Sequence, residues 1–99
     1  MNSIPIDVGA FIVRRFAVAE QPTALDVLTA ATLGDDSPPS ARLIRCAAIA
    51  SRGSIERLRY FVNLMRVDFR DVIVAAEYEE QNGNLSKVRD LNNAIADDA

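Results

Sequence analysis

A chain of 99 residues in which 49% are apolar and 25% charged has the balance of one globular domain, and intrinsic disorder is excluded as its starting description. It holds no histidine and a single cysteine, so Ser-His and Cys-His nucleophile pairs, internal disulfides and histidine-containing or multi-cysteine zinc sites cannot form within it. With a net charge of −3 and no apolar run near the ~20 residues of a membrane helix, it is expected to act away from membranes.

The opening MNSIPIDVGAF has no basic leader before an apolar stretch and carries Asp7, unlike a secretory signal. Together with the lone Cys46, set among Ala and Ile as a buried small hydrophobe would be, this fits a reducing cytoplasm. Val8, Phe11, Ile12, Phe16 and Ala19 are spaced as one face of a helix capped by Asp7. The run FIVRRFAVA is also rich in β-branched and aromatic residues, but a lone strand would have no partner, so residues 8–19 are expected to be helical. Pro22 and Thr23 precede a short helix, ALDVLTAATL, ending at Gly34. Residues 1–33 thus read as an N-terminal helical pair, and residues 34–40 (GDDSPPS) as a connector.

Ser37-Pro38-Pro39-Ser40 is a helix-start signal for ARLIRCAAIAS, with Gly53 as its left-handed stop. Ser54 caps IERLRYFVNLMRV, in which Ile55, Leu58, Phe61, Val62 and Met65 form an apolar stripe. Tyr60, Leu64 and Val67 widen that stripe, which predicts packing on two sides. Asp68, with Asp71 three residues on, caps FRDVIVAAEYEE. Gly83 ends that helix, and Asn84 caps a last one, LSKVRDLNNAIA, with Leu85, Val88, Leu91 and Ile95 on its inner face. The tail Asp97-Asp98-Ala99 is expected to fray.

Gly53-Ser54-Ile55-Glu56-Arg57-Leu58-Arg59 aligns with Gly83-Asn84-Leu85-Ser86-Lys87-Val88-Arg89 at an offset of thirty residues. With the upstream Ala pairs Ala47-Ala48 and Ala75-Ala76, this describes two helical hairpins that stack because neither buries its apolar face alone. The pattern resembles the helical half of ankyrin repeats. That family's Thr-Pro-Leu-His opening and finger are missing and the period is shorter, and no family function is carried over. The fold expected is a single all-α domain of five or six short helices, an orthogonal or solenoid-like bundle with two stacked helical hairpins over residues 41–96.

Charge is segregated along the chain. Residues 41–70 hold seven Arg and two acids, residues 71–99 two bases and seven acids. Arg42, Arg45 and Arg52 fall within about 80° of one another on their helix. Arg59 and Arg66, with Asn63 between them, do the same on the next, and Arg57 lies to one side. These six arginines are the candidate partner-binding basic faces, suited to a protein surface or, as the alternative, to nucleic acid. Glu77, Glu79 and Glu80 are expected to form a solvated acidic face, since no further ligands converge on them to make a metal site. No catalytic, cofactor-binding or metal motif is present in the sequence. The reading is a protein–protein interaction or regulatory module, with a homodimer as one form and a small nucleic-acid-associated protein as the alternative.

Overall fold

Backbone donors at three helix starts find side-chain acceptors, and these caps set the central elements. The Ser40 hydroxyl accepts from the Leu43 amide at 3.2 Å, Ser54 from the Arg57 amide at 3.2 Å, and Asp68 from the Arg70 amide at 3.0 Å. In the computed structural model, which describes residues 1–97 and 99, they open α3 (Ala41–Ser51), α4 (Ile55–Val67) and α5 (Phe69–Glu77). Ahead of them lie α1 (Ile6–Arg15), a 3₁₀ turn (Val18–Glu20) and α2 (Gln21–Thr29). The chain ends in a two-stranded antiparallel hairpin, β1 (Tyr78–Gln81) and β2 (Asn84–Lys87), followed by an irregular strap over residues 88–97.

The helix expected within residues 8–19 is present, but it stops at Arg15 because Phe16 is extended (φ −102°, ψ 144°). Its N-cap is Pro5, and Asp7, expected to be the cap, stands in the first turn instead. The second helix starts earlier than expected, with Pro22 in its first turn, and ends at Thr29. Asn2 ties the leading segment to its end, donating from Nδ2 to the carbonyls of Leu28 (3.0 Å) and Ala31 (2.7 Å). Between α3 and α4 the left-handed stop is shared by Arg52 (φ 52°) and Gly53 (φ 80°).

α3 is packed against both α4 and α5, and its Ala-rich surface allows close approach. Leu58, Met65, Val72 and Ala76 are fully or almost fully buried, as their spacing predicts. Tyr60 and Val67 are not, so the second apolar side of α4 faces outward.

The largest departure from expectation lies beyond Glu77. The helix does not continue to Glu80, and residues 85–96 do not form a helix. Tyr78 turns extended (φ −119°, ψ 149°), and Gln81 pairs with Asn84 across a two-residue turn. Asn82 (φ 52°) and Gly83 (φ 82°) both take positive φ, which is what a tight type I′ hairpin turn requires and an Asn-Gly pair adopts readily. The thirty-residue repeat is therefore one of residue type and not of structure: Gly53 lies in a turn between helices, Gly83 in a turn between strands. Among the described residues the fold is mostly helical, with five α-helices and a small sheet, and the second of the two stacked helical hairpins is replaced by the β-hairpin and strap. Its radius of gyration, 12.7 Å, is that of a compact globule of this length. Among the described residues, no helix is long and apolar enough to cross a membrane. Of the tail expected to fray, Ala99 packs at the edge of the core and Asp98 lies outside the described residues.

Candidate functional site

The six arginines of the candidate basic faces are divided among three environments. Arg42 and Arg45, one turn apart on α3, face inward toward the strap. Arg42 makes a two-pronged pair with Glu77, Nε to Oε2 at 2.8 Å and Nη2 to Oε1 at 2.7 Å. Arg45 does the same with Asp7, at 2.9 and 3.2 Å, and donates to the Leu91 carbonyl at 3.5 Å. The two carboxylates then accept backbone donors from the strap: the Leu91 amide reaches Glu77 Oε2 at 3.1 Å and the Ile95 amide reaches Asp7 Oδ2 at 3.0 Å.

Glu77 is fully buried, contrary to the solvated acidic face expected of it, while Glu79 and Glu80 are exposed on β1. The paired guanidinium of Arg42 lowers the Glu77 pKa despite opposing burial, with the Leu91 amide and Lys87 assisting. At Asp7, burial pushes the pKa up, but the hydrogen bonds from Arg45 and Ile95 outweigh it and leave the carboxyl below its usual range. The Cys46 thiol lies 3.8 Å from Glu77 Oε2, and burial, reinforced by that carboxylate, pushes its pKa up to about 12. It is a neutral packing group and not a nucleophile. Glu77 stands four residues after Ile73, on the apolar side of α5, and that spacing was the signal for its burial.

Arg52 and Arg57 belong to a second environment, a groove of about 480 Å³ where the ends of α1, α3 and α5 converge beside β1. Its floor is Phe11, Ile49, Ala50 and Phe61, and Tyr78 forms part of one wall. Two arginines outside the predicted set, Arg15 and Arg89, complete its lining. Gly53 makes this assembly possible: a Cβ there would run into the Arg15 carbonyl oxygen, so only glycine lets the end of α1 close on the α3–α4 turn. Arg57 is fixed in place by donating to the Ala50 carbonyl (3.3 and 2.9 Å) and by lying 5.5 Å above the Phe61 ring centre. Arg89 is anchored by the Ala76 carbonyl and approaches Glu79 at 3.8 Å.

Arg59 and Arg66 occupy the third environment. Two residues beyond Arg57 in the helix, Arg59 points the other way, into a shallow cleft of about 290 Å³ between α2 and α4 that also holds Asn63. Arg66 is tied down there by Thr32 and by Asp36 at 3.4 Å. The expected stripe of Arg59, Asn63 and Arg66 thus comes together, but apart from Arg52 and Arg57.

The outer side of α4 offers a different surface. Tyr60, Leu64 and Val67 follow one another at four- and three-residue intervals, with Leu64 half-buried against the core between two exposed neighbours. Tyr60 is 60% and Val67 83% exposed, and Phe69 at the start of α5 is 45% exposed. Compared with protein-family models, with curated proteins and with solved structures, the chain matches none of them.

Proposed function

We propose that this chain is a non-catalytic protein-interaction module that docks through the outer side of α4, with a second copy of itself as the simplest partner. The observation that carries this reading is the Tyr60–Leu64–Val67 stripe, continued by Phe69. A helix with apolar residues on two sides has one side left without cover inside the chain. In a two-fold dimer the same stripe lies on its copy, so each exposed side chain finds an apolar neighbour without a second specialised surface. α4 is about 20 Å long at 1.5 Å per residue, so the area is that of a weak, concentration-dependent contact and not of an obligate one.

The test is solution mass over a concentration series, with Val67→Glu as the comparison. The expected result is association of the wild type that persists at high salt, and a monomeric variant of unchanged melting temperature. A strict monomer at high concentration would remove the dimer. Nucleic-acid binding through the exposed arginines would show instead as retardation of an oligonucleotide that vanishes steeply as salt is raised.

A further inference from the structure

The Arg-lined groove is independent of the α4 stripe and has its own chemistry. We propose that it is a docking site for an acidic peptide segment, in which carboxylates meet Arg15 and Arg52 while one apolar side chain enters between Phe11, Ile49 and Phe61. Guanidinium groups bind carboxylates with two parallel N–H donors, and an apolar floor beside them adds contact area that a bare ion pair lacks.

The electrostatic balance favours an anion. Four guanidinium charges line the groove against Glu79 and the negative ends of α1, α3 and α5, each worth about half a charge, which leaves a surplus of roughly one to two positive charges. Arg57 and Arg89 are held by helix-end carbonyls, so they supply a fixed field. Arg15 and Arg52 are exposed and have no side-chain hydrogen bond among the described residues, so they are the pair able to grip a ligand.

A peptide fits better than a nucleic acid. A polyphosphate backbone carries a charge on every residue and would run on past the groove over Glu79 and Glu80, whereas a peptide can confine its carboxylates to Arg15 and Arg52. A space of about 480 Å³ with a greasy floor accepts one or two side chains with their backbone, not a duplex.

An array of ten-residue peptides of varied charge and apolar content, probed with the full chain, tests the assignment. The bound set is expected to be enriched in Asp and Glu flanking an aromatic or aliphatic residue. The double variant Arg15→Glu with Arg52→Asn should weaken those peptides at least tenfold, while Arg59→Glu in the other cleft leaves them unchanged. Asn is chosen at position 52 because it tolerates the positive φ there. Equal melting temperatures for the three proteins separate lost binding from lost fold. A bound set without acidic enrichment, an empty array, or acidic binding that survives the double variant overturns the proposal. So does displacement of the acidic peptides by a labelled single-stranded DNA 12-mer, which would assign the groove to nucleic acid. Solution mass of the double variant, expected to match the wild type, keeps this result separate from that of the α4 dimer.

Discussion

The helical body and the C-terminal hairpin with its strap are held by opposite kinds of force. In the body, α3, α4 and α5 bury Leu58, Met65 and Val72 against one another, and their backbones satisfy themselves within each helix. The strap has no such ladder. Leu91 and Ile95 drop into the core, at 3% and 5% exposure, while their amides go to Glu77 and Asp7, and an α3 arginine stands behind each carboxylate. An irregular segment can be buried only if its donors find acceptors, and here two carboxylates do what a helix or sheet does elsewhere. The body therefore depends on shape, and the strap depends on charge. Perturbing each in turn should separate them.

The largest effect is expected from shape. Leu58→Ala removes a fully buried side chain from the interface that α4 makes with the core and should cost about 3–4 kcal/mol, within the range of large-to-small core substitutions. Urea unfolding should show one lower midpoint for body and strap alike, because the strap packs on what the mutation loosens. A midpoint shift confined to signals of residues 78–97 would contradict this division.

Glu77→Ala should come next, at roughly 3 kcal/mol. It strips Arg42 of its partner and the Leu91 amide of its acceptor, but Arg42 keeps 29% exposure and water can recover part of its solvation, so the low end of the range for buried pairs applies. Glu77→Gln, which keeps an acceptor oxygen while losing the charge, should fall between wild type and Glu77→Ala. Amide exchange measured on the three proteins should show Leu91 and its neighbours losing protection ahead of α3 and α4.

Acid reaches the same clamp without mutation. The Glu77 and Asp7 carboxyls have folded-state pKa values below their ordinary 4.5 and 3.8, so their contribution is complete above those values and is lost as pH falls through the lower folded ones. The Leu91 and Ile95 amide signals in a two-dimensional NMR titration should move or broaden below about pH 4 while those of Leu58 and Met65 hold. Simultaneous loss of both sets would mean that the strap is not a separable unit. Because Arg89 lies two residues before Leu91, acid release of the strap should also open one wall of the groove.

The same division governs how much could be read from sequence. α3, α4 and α5 were legible because Ser40, Ser54 and Asp68 cap them through local hydrogen bonds and Leu58, Phe61, Met65, Val72 and Ala76 repeat at helical intervals. The end of the chain is misleading in sequence because Leu85, Val88, Leu91 and Ile95 imitate that interval by coincidence. Leu85 is 64% exposed, while Leu91 and Ile95 are buried from an irregular, non-helical backbone. The clamp joins Asp7, Arg42, Arg45, Glu77 and the strap across separations of up to 88 residues, which no local pattern encodes. In the candidate groove, Arg52 and Arg57 were among the arginines singled out, whereas Arg15 and Arg89 enter through tertiary folding.

The smallest effect tests the turn that separates the two regions. Gly83 has nothing within 4 Å of where a Cβ would be, so Gly83→Ala meets no steric neighbour and its cost is confined to the positive φ of 82°. That is about 1 kcal/mol. Local propensity alone would favour the alanine in the helix-stop reading of this position only if the backbone could leave the left-handed region, and the pairing of Gln81 with Asn84 prevents that. Asn82→Ala, which also removes a residue tolerant of positive φ (52°), should destabilise by a similar amount, whereas exchanging Asn82 for Gly should be close to neutral. Thermal melts of the three variants check the order. If Gly83→Ala instead stabilises the protein and raises its helical circular dichroism, residues 78–87 prefer the continuous helix, and the contrast between a shape-held body and a charge-held strap loses its boundary.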